Sequence, residues 1–313
     1  MSGEAALIAL VGPTAVGKTA VSLGLAEAVS AEIVSADSRL LYRGMDIGTA
    51  KPSVDEQARA RHHLIDVADP RAPWSLAEYR AAALAAIADI HARGRLALLV
   101  GGTGQYVRAI LEGWSPPPRP ADDGIRRELE AVAAAAGPQM LHRRLAAVDP
   151  DSAARIDARN VRRVVRALEI HALTGQPASR QRRAAAPQFR VLRIGLTLPR
   201  TELYARIDAR IDAMLAAGWL EEVRRLLALG LTPASPAMSA IGYATLAEHW
   251  MGSFDLEEAV RRIRRATRQF VRRQANWFKP DDPAITWFDS SAAVGEEIEA
   301  FLQDWLARPE AAG

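Results

Sequence analysis

The chain has 313 residues, a formal net charge of +3 and no cysteine, so a disulfide framework and a cysteine zinc site are both excluded, and a reducing compartment suits it. With 49% hydrophobic residues it can bury one large core and a satellite domain. Its longest apolar runs are strand-sized or alanine-rich and broken by charge, and no basic segment leads into a hydrophobic stretch at its start, so a cytoplasmic protein without a membrane span is expected.

The first element is the apolar run Ala5-Ala6-Leu7-Ile8-Ala9-Leu10-Val11, a buried-strand pattern. Gly12-Pro13-Thr14-Ala15-Val16-Gly17-Lys18-Thr19 follows at once, the G-x-x-x-x-G-K-[ST] phosphate-binding loop, and a helical pattern continues from Ala20. Strand, loop and helix in that order are the context the motif requires. Its backbone N–H groups wrap an anion, the helix N-terminus faces it, Lys18 adds a point charge and the Thr19 hydroxyl can hold Mg²⁺. The motif predicts a bound diphosphate or triphosphate without choosing between them.

Residues 31–35 read as a second strand and 63–67 as a third. Ser75 predicts the cap of a helix running to about His91, closed by Gly94, and 96–100 is a further buried strand leading into Gly101-Gly102-Thr103-Gly104. Strands alternating with helices predict an α/β fold, a P-loop NTPase-like parallel sheet flanked by helices. The prolines at 116, 117, 118 and 120 mark a boundary, and 119–188 carries only helical periodicity, which predicts an all-helical insertion domain between core segments 1–118 and 189–313. The core pattern resumes with a strand at 191–197, helices from 201 to 228, a strand at 285–288 and a last helix.

Positive charge is unevenly placed: the basic excess lies in 119–190, with the flanking segments near balance. Residues 261–279 carry Arg261, Arg262, Arg264, Arg265, Arg268, Arg272, Arg273 and Lys279 with no acid among them. A helix over 257–278 would put Ile263, Ala266, Phe270 and Trp277 on one face and Arg261, Arg265, Arg268 and Arg272 opposite. A second helix, 160–173, would pack Val161, Val165, Leu168 and Ala172 and leave Arg159, Arg162, Arg163 and Arg166 elsewhere. A solvated helix surface is the plain reading of such faces. The absence of interleaved acids favours arginine forks for a polyphosphate backbone instead.

Asp37 belongs at the carboxyl end of the second strand, on the sheet edge that carries the P-loop. There it is either a turn aspartate or a carboxylate that accepts a proton or binds Mg²⁺. Thr103 reaches the same edge. The six histidines show no metal spacing, and no Ser/His/Asp or H-E-x-x-H arrangement is present.

Together the P-loop, the stretch from Ser35-Ala36-Asp37-Ser38-Arg39-Leu40-Leu41-Tyr42 through Gly44-Met45-Asp46-Ile47-Gly48-Thr49-Ala50-Lys51-Pro52, the His63-Leu64-Ile65-Asp66 segment and Gly101-Gly102-Thr103-Gly104 resemble the bacterial tRNA dimethylallyltransferases. The likeness continues through Arg162-Arg163-Val164-Val165-Arg166 and Ile241-Gly242-Tyr243 to Arg273-Gln274-Ala275-Asn276-Trp277-Phe278, nearly the whole chain. It implies transfer of a dimethylallyl group from dimethylallyl diphosphate to N6 of adenosine 37, in tRNAs reading codons that begin with U. The P-loop residues 12–19 would hold the diphosphate, with Mg²⁺ at Thr19 and Arg224 as a further cation. Asp37 would take the N6 proton and Thr103 would help position the base. By the same resemblance the tRNA anticodon stem-loop contacts Asp37, Ser38, Arg39, Leu40, Thr103, Arg126, Arg162 to Arg166, the Ser239-Ala240-Ile241-Gly242-Tyr243-Ala244 segment and Arg272-Arg273-Gln274-Ala275-Asn276-Trp277-Phe278-Lys279, and the enzyme is a monomer. Gln105 and Ala244 depart from the family pattern, which usually has leucine at the first position and a basic residue at the second. The competing expectations are an adenylate isopentenyltransferase, a P-loop small-molecule kinase and an RNA-binding ATPase. The kinase explains 12–19 but not the arginine-rich helices.

Overall fold

A computed structural model describes residues 5–114, 122–181, 189–290 and 293–308. The proline cluster at 116–120 and the expected end of the insertion at 188 lie outside the described residues. Two compact units result, Met1–Ile110 with Pro187–Gly313, and Leu111–Ala186.

In the larger unit the chain runs β1 (Ala6–Val11), α1 (Lys18–Ala28), β2 (Ala31–Ser35), α2 (Val54–Arg59), β3 (His62–His63), α3 (Leu76–Ala92), β4 (Leu96–Gly101) and α4 (Gly104–Leu111). All strands join one six-stranded parallel sheet in the order β3-β2-β4-β1-β5-β6, β5 being Arg190–Thr197 and β6 Thr286–Asp289. The P-loop strand is central, and Leu7 to Leu10 are fully buried, which is why that strand reads as an uninterrupted apolar run. Register aligns Val11 with Gly101 and with Gly195, and Ser35 with Val100. The P-loop, the loop after Ser35 and the Gly101 turn therefore leave one edge of the sheet, as doubly wound sheets place their ligand loops.

The structure shortens one expected strand. β3 keeps only His62–His63, because Leu64 and Asp66 take φ of +63° and +57°, a left-handed backbone no strand continues through. This bend lets Asp66 meet Lys51 Nζ at 2.5 Å, while Lys51 also bonds Asp46 and donates to the Tyr42 carbonyl at 3.0 Å. The Ser75 helix forms as expected, with a reciprocal capping box to Glu78, a cap contributing about 1 kcal/mol.

The smaller unit is helical: α5 (Asp123–Ala136), α6 (Pro138–Val148), α7 (Pro150–Arg155), α8 (Val161–Thr174) and α9 (Ala178–Gln181). It has its own core of Leu141, Leu145, Val164, Val165 and Leu168. The buried stripe of α8 is turned from the expected one, since Val164 and Ala167 are inside and Ala172 is exposed.

The larger unit continues with α10 (Arg200–Ala216), α11 (Trp219–Ala228), a 3-10 turn over Ala237–Ser239, α12 (Tyr243–Trp250), α13 (Leu256–Gln274) and α14 (Val294–Ala307). The arginine-rich helix thus ends at Gln274, and Trp277 and Phe278 lie in the turn beyond it, off the helical wheel. Acids absent from its own 261–279 stretch come from elsewhere. Arg268 pairs with Asp208 at 2.5 Å and Arg264 with Asp212 at 2.6 Å, both on α10, while Arg261 and Arg262 pair with Glu257 and Glu258. No helix among the described residues is long and apolar enough to cross a membrane.

Candidate active site

One cavity of about 400 Å³ opens beside the P-loop. Its polar side comes from Thr14, Asp37, Ser38, Arg39, Thr103, Arg210 and Gln274, and its apolar side from Ile207, Ile211, Met214, Trp219, Ile263 and Phe270.

Gly12 leaves β1 at φ +149°, and a Cβ there would lie 2.7 Å from the Leu196 carbonyl oxygen, so the loop can pass over β5 only with glycine. Lys18 opens α1 and donates to the Gly12 and Pro13 carbonyls at 2.9 and 2.7 Å. Burial pushes its ammonium down to about 8, Asp37 opposing that shift and Arg210 adding to it. Burial likewise lowers Arg210, with Asp37 again opposing. Asp37 is the only carboxylate among the described lining residues. Two poorly solvated cations facing one carboxylate favour a further anion, whose charge would replace lost hydration.

Asp37 sits where β2 ends. Its Oδ1 accepts the Arg39 N–H at 2.8 Å, a tight turn that aims the carboxylate while fixing the backbone. Thr103 accepts the Ser38 N–H at 3.1 Å, and its own N–H donates to the Ala36 carbonyl at 3.1 Å, so the two loops are tied across the strand ends. Gln274 is a strut that motif reading assigns to tRNA: its Oε1 accepts the Thr14 N–H at 3.0 Å, and its Nε2 donates to the Gly102 carbonyl at 3.1 Å. Buried Glu222 accepts the N–H groups of Asp46 and Ile47 at 2.8 Å, that of Gly48 at 3.2 Å, and the Tyr243 hydroxyl at 2.6 Å. Burial and this carboxylate raise the Tyr243 phenol far above its ordinary range.

The family description IPP transferase matches residues 40–281, and Isopentenyl transferase matches residues 5–71. The chain belongs to the IPP transferase family. Relatives include the tRNA dimethylallyltransferases of Chloroflexus aurantiacus, 56% identical over 273 residues, 87% of this chain and 92% of that protein, and of Roseiflexus sp. strain RS-1, 49% identical over 303 residues, 96% and 98%. Among solved structures, the full-length tRNA isopentenylpyrophosphate transferase of Bacillus halodurans superposes with a TM-score of 0.71 at 40% identity, covering 97% of this chain and 96% of that one. A eukaryotic dimethylallyltransferase acting on tRNA gives 0.84 at 25% identity, covering 99% and 81%.

Within this IPP transferase the residues expected at the site divide. Thr14, Ala15, Asp37, Ser38, Arg39, Thr103, Ser239, Ala240, Ile241, Arg273, Gln274 and Trp277 line the cavity. Leu40 stays outside its lining, its carbonyl accepting the Asp66 N–H. Arg224 is exposed, pairs with Glu221 at 2.6 Å and lies outside the lining, which includes Arg210. Both arginines belong to neighbouring helical segments without a motif of their own, so sequence spacing could not rank them. The side chains of Val164 and Val165 fill the core of the helical unit. Tyr243 and Phe278 are buried, Tyr243 being the partner of Glu222. Arg126 and Arg166 converge on buried Glu169 at 2.9 and 2.6 Å, while Arg162 and Arg163 point outward. Arg272, Arg273, Ala275, Asn276 and Lys279 are exposed, and Ala244 is half-buried.

Arg268 is held by Asp208 and half-buried, whereas Arg272 and Arg273 are exposed at the end of α13. The double variant Arg272→Ala/Arg273→Ala should bind tRNA more weakly and lower the slope of log K against log salt by about 1 to 2. A salt titration of native and variant protein checks this, and an unchanged slope would make that end of α13 ordinary surface.

Proposed function

We propose that this IPP transferase transfers a dimethylallyl group from dimethylallyl diphosphate to N6 of adenosine 37 in tRNAs reading codons that begin with U. The observation that carries the reading is a single cavity holding Asp37 and Arg210 next to the P-loop lysine, with an apolar wall continuing from the cations. The wall gives the alkyl group of a prenyl donor an apolar surface beside the cations that hold its diphosphate.

The diphosphate rests on the P-loop amides, Lys18 and Arg210. The N6 lone pair attacks the allylic carbon, the C–N bond forms, and the carbon–oxygen bond breaks with its electron pair leaving on the diphosphate. The proton shed by N6 passes to the Asp37 carboxylate. Thr103, bonded to the 37–39 turn, keeps that carboxylate aligned. Positive charge waiting at the departing oxygen lowers the barrier without reorganising at the moment of reaction. Adenosine 37 must leave the anticodon stack to reach the cavity, as a base acted on by an enzyme does.

No group of three or more His, Cys, Asp or Glu side chains among the described residues could hold a metal. Mg²⁺ binds through one or two protein ligands and takes substrate phosphates for much of its shell. The Thr19 hydroxyl, in the first turn of α1, would hold it, and when bound it supplies neutralisation of the leaving diphosphate.

Incubating the protein with dimethylallyl diphosphate, Mg²⁺ and an anticodon stem-loop carrying adenosines at 36 to 38 should yield a prenylated nucleoside at 37 by mass spectrometry. Folded protein that leaves the stem-loop unmodified would overturn the reading. Equal transfer to free AMP would favour an adenylate isopentenyltransferase, and turnover of labelled ATP without transfer would favour a kinase or ATPase. Within the same assay, Arg210→Ala should raise KM for the donor at least about tenfold, since a charge-assisted contact is worth about 1.5–3 kcal/mol. Arg224→Ala should leave KM within about twofold, as for an exposed pair. The opposite order would place Arg224 at the diphosphate.

A further inference from the structure

The apolar half of the cavity has a direction. Arg210, Ile211 and Met214 lie along one side of α10, and at about 1.5 Å per residue Met214 stands roughly 6 Å beyond Arg210 toward the helix C-terminus. The chain turns at Gly218, and Trp219 opens α11 and lines the same cavity. An alkyl chain whose diphosphate is held at Arg210 and Lys18 can therefore run past Ile211 and Met214 toward the indole.

Trp219 is built in as a wall. Its side chain is 2% exposed and stands between two loops that carry glycine where it passes. A Cβ on Gly48 would lie 1.9 Å from its Nε1, and one on Gly242 would lie 2.2 Å from its Cη2. Tyr243 meets the ring edge-on at 5.8 Å between centroids, and Glu222, one turn further along α11, fixes both Gly48 and Tyr243. The ring thus cannot swing aside without colliding with backbone. Its Nε1 has no hydrogen-bond partner among the described residues, so the position uses the bulk of the indole and not its donor.

We propose that Trp219 is the chain-length stop of the donor pocket, admitting a five-carbon allylic diphosphate and excluding a ten-carbon one. The inference rests on the donor being a prenyl diphosphate held at Arg210 and Lys18. One added isoprene unit extends the chain by several ångströms, and along the Arg210-to-Met214 wall the next object is the indole. A rigid wall rejects the larger substrate by overlap, which excludes more strongly than the loss of a single methylene contact.

The test uses the full chain, an anticodon stem-loop, and dimethylallyl and geranyl diphosphates in parallel, with products resolved by mass spectrometry. Native protein should prefer dimethylallyl diphosphate by at least about 100-fold in kcat/KM, and Trp219→Ala should move that ratio toward geranyl at least tenfold while dimethylallyl transfer persists. If Trp219→Ala fails to fold, Trp219→Phe, which keeps a ring between Gly48 and Gly242, is read by direct binding of the two diphosphates and should shift their Kd ratio at least threefold. A folded variant with the native ratio overturns the proposal. Native protein that transfers neither chain overturns the prenyl-transfer reading itself, whereas native transfer of both chains alike overturns only the role given to Trp219.

Discussion

Replacing Asp37 with asparagine should lower kcat for prenyl transfer by about 10²- to 10⁴-fold, the range a positioned general base contributes, while inorganic diphosphate still binds. The substitution preserves shape. Asparagine keeps an oxygen that can accept the Arg39 N–H, now taken by Asp37 Oδ1 at 2.8 Å, so the 37–39 turn and its tie to Thr103 persist. What disappears is the acceptor for the N6 proton and the one carboxylate facing Lys18 and Arg210. The two losses act in opposite directions on two measurable quantities. Turnover falls because the developing N6 cation has nowhere to send its proton. Diphosphate affinity holds or rises, because the incoming anion no longer competes with a fixed negative charge for the same two cations. Single-turnover transfer rates and calorimetric titration with diphosphate separate these effects. A kcat within threefold of native would assign the proton to another group, and a matching loss of diphosphate affinity would make Asp37 a structural residue of the loop.

Asp37 was within reach of sequence reasoning because strand periodicity sets where β2 ends, and a polar residue two positions past that end has few places to go. The same logic leads to the parallel sheet and to the loops that leave its edge. It failed where the deciding partner is remote in sequence. The arginines at 261–279 look unpartnered along the chain, yet Asp208 and Asp212 on α10 take two of them. Gln274 lies 260 residues from Thr14, whose N–H it accepts. Arg210 shows no motif, because its signal is a helix face, with Ile207, Ile211 and Met214 lining the cavity beside it. Val164 and Val165 stand between arginines in sequence, and their side chains are needed for the small unit's own core. Short-range patterns therefore locate strand-end chemistry well, and cross-helix packing decides which cations are free for a ligand.

Glu222 is the case with the largest stability effect. Replacing it with alanine should cost about 3–5 kcal/mol of folding stability, since several buried donors lose their acceptor at about 1–3 kcal/mol each. The carboxylate is 1% exposed and serves four donors, the N–H groups of Asp46, Ile47 and Gly48 and the Tyr243 hydroxyl. Alanine removes the acceptor all four share, and each buried donor left unsatisfied costs about 1–3 kcal/mol before relaxation. Tyr243→Phe removes only one donor and keeps the ring against Trp219, so its cost should be near 1 kcal/mol. Glutamine should fall between them, because its NH₂ group would face an N–H where an oxygen now stands. Urea denaturation of the three variants should give midpoints in the order native, Tyr243→Phe, Glu222→Gln, Glu222→Ala, and equal midpoints for native protein and Glu222→Ala would show that the 46–48 loop is held by other means. Gly48 and Thr49 line the cavity, so the loss reaches the site as well. Glu222→Gln should lower transfer even under conditions where it is fully folded, since a loosened 46–48 loop no longer holds the Gly48 and Thr49 lining of the cavity in place.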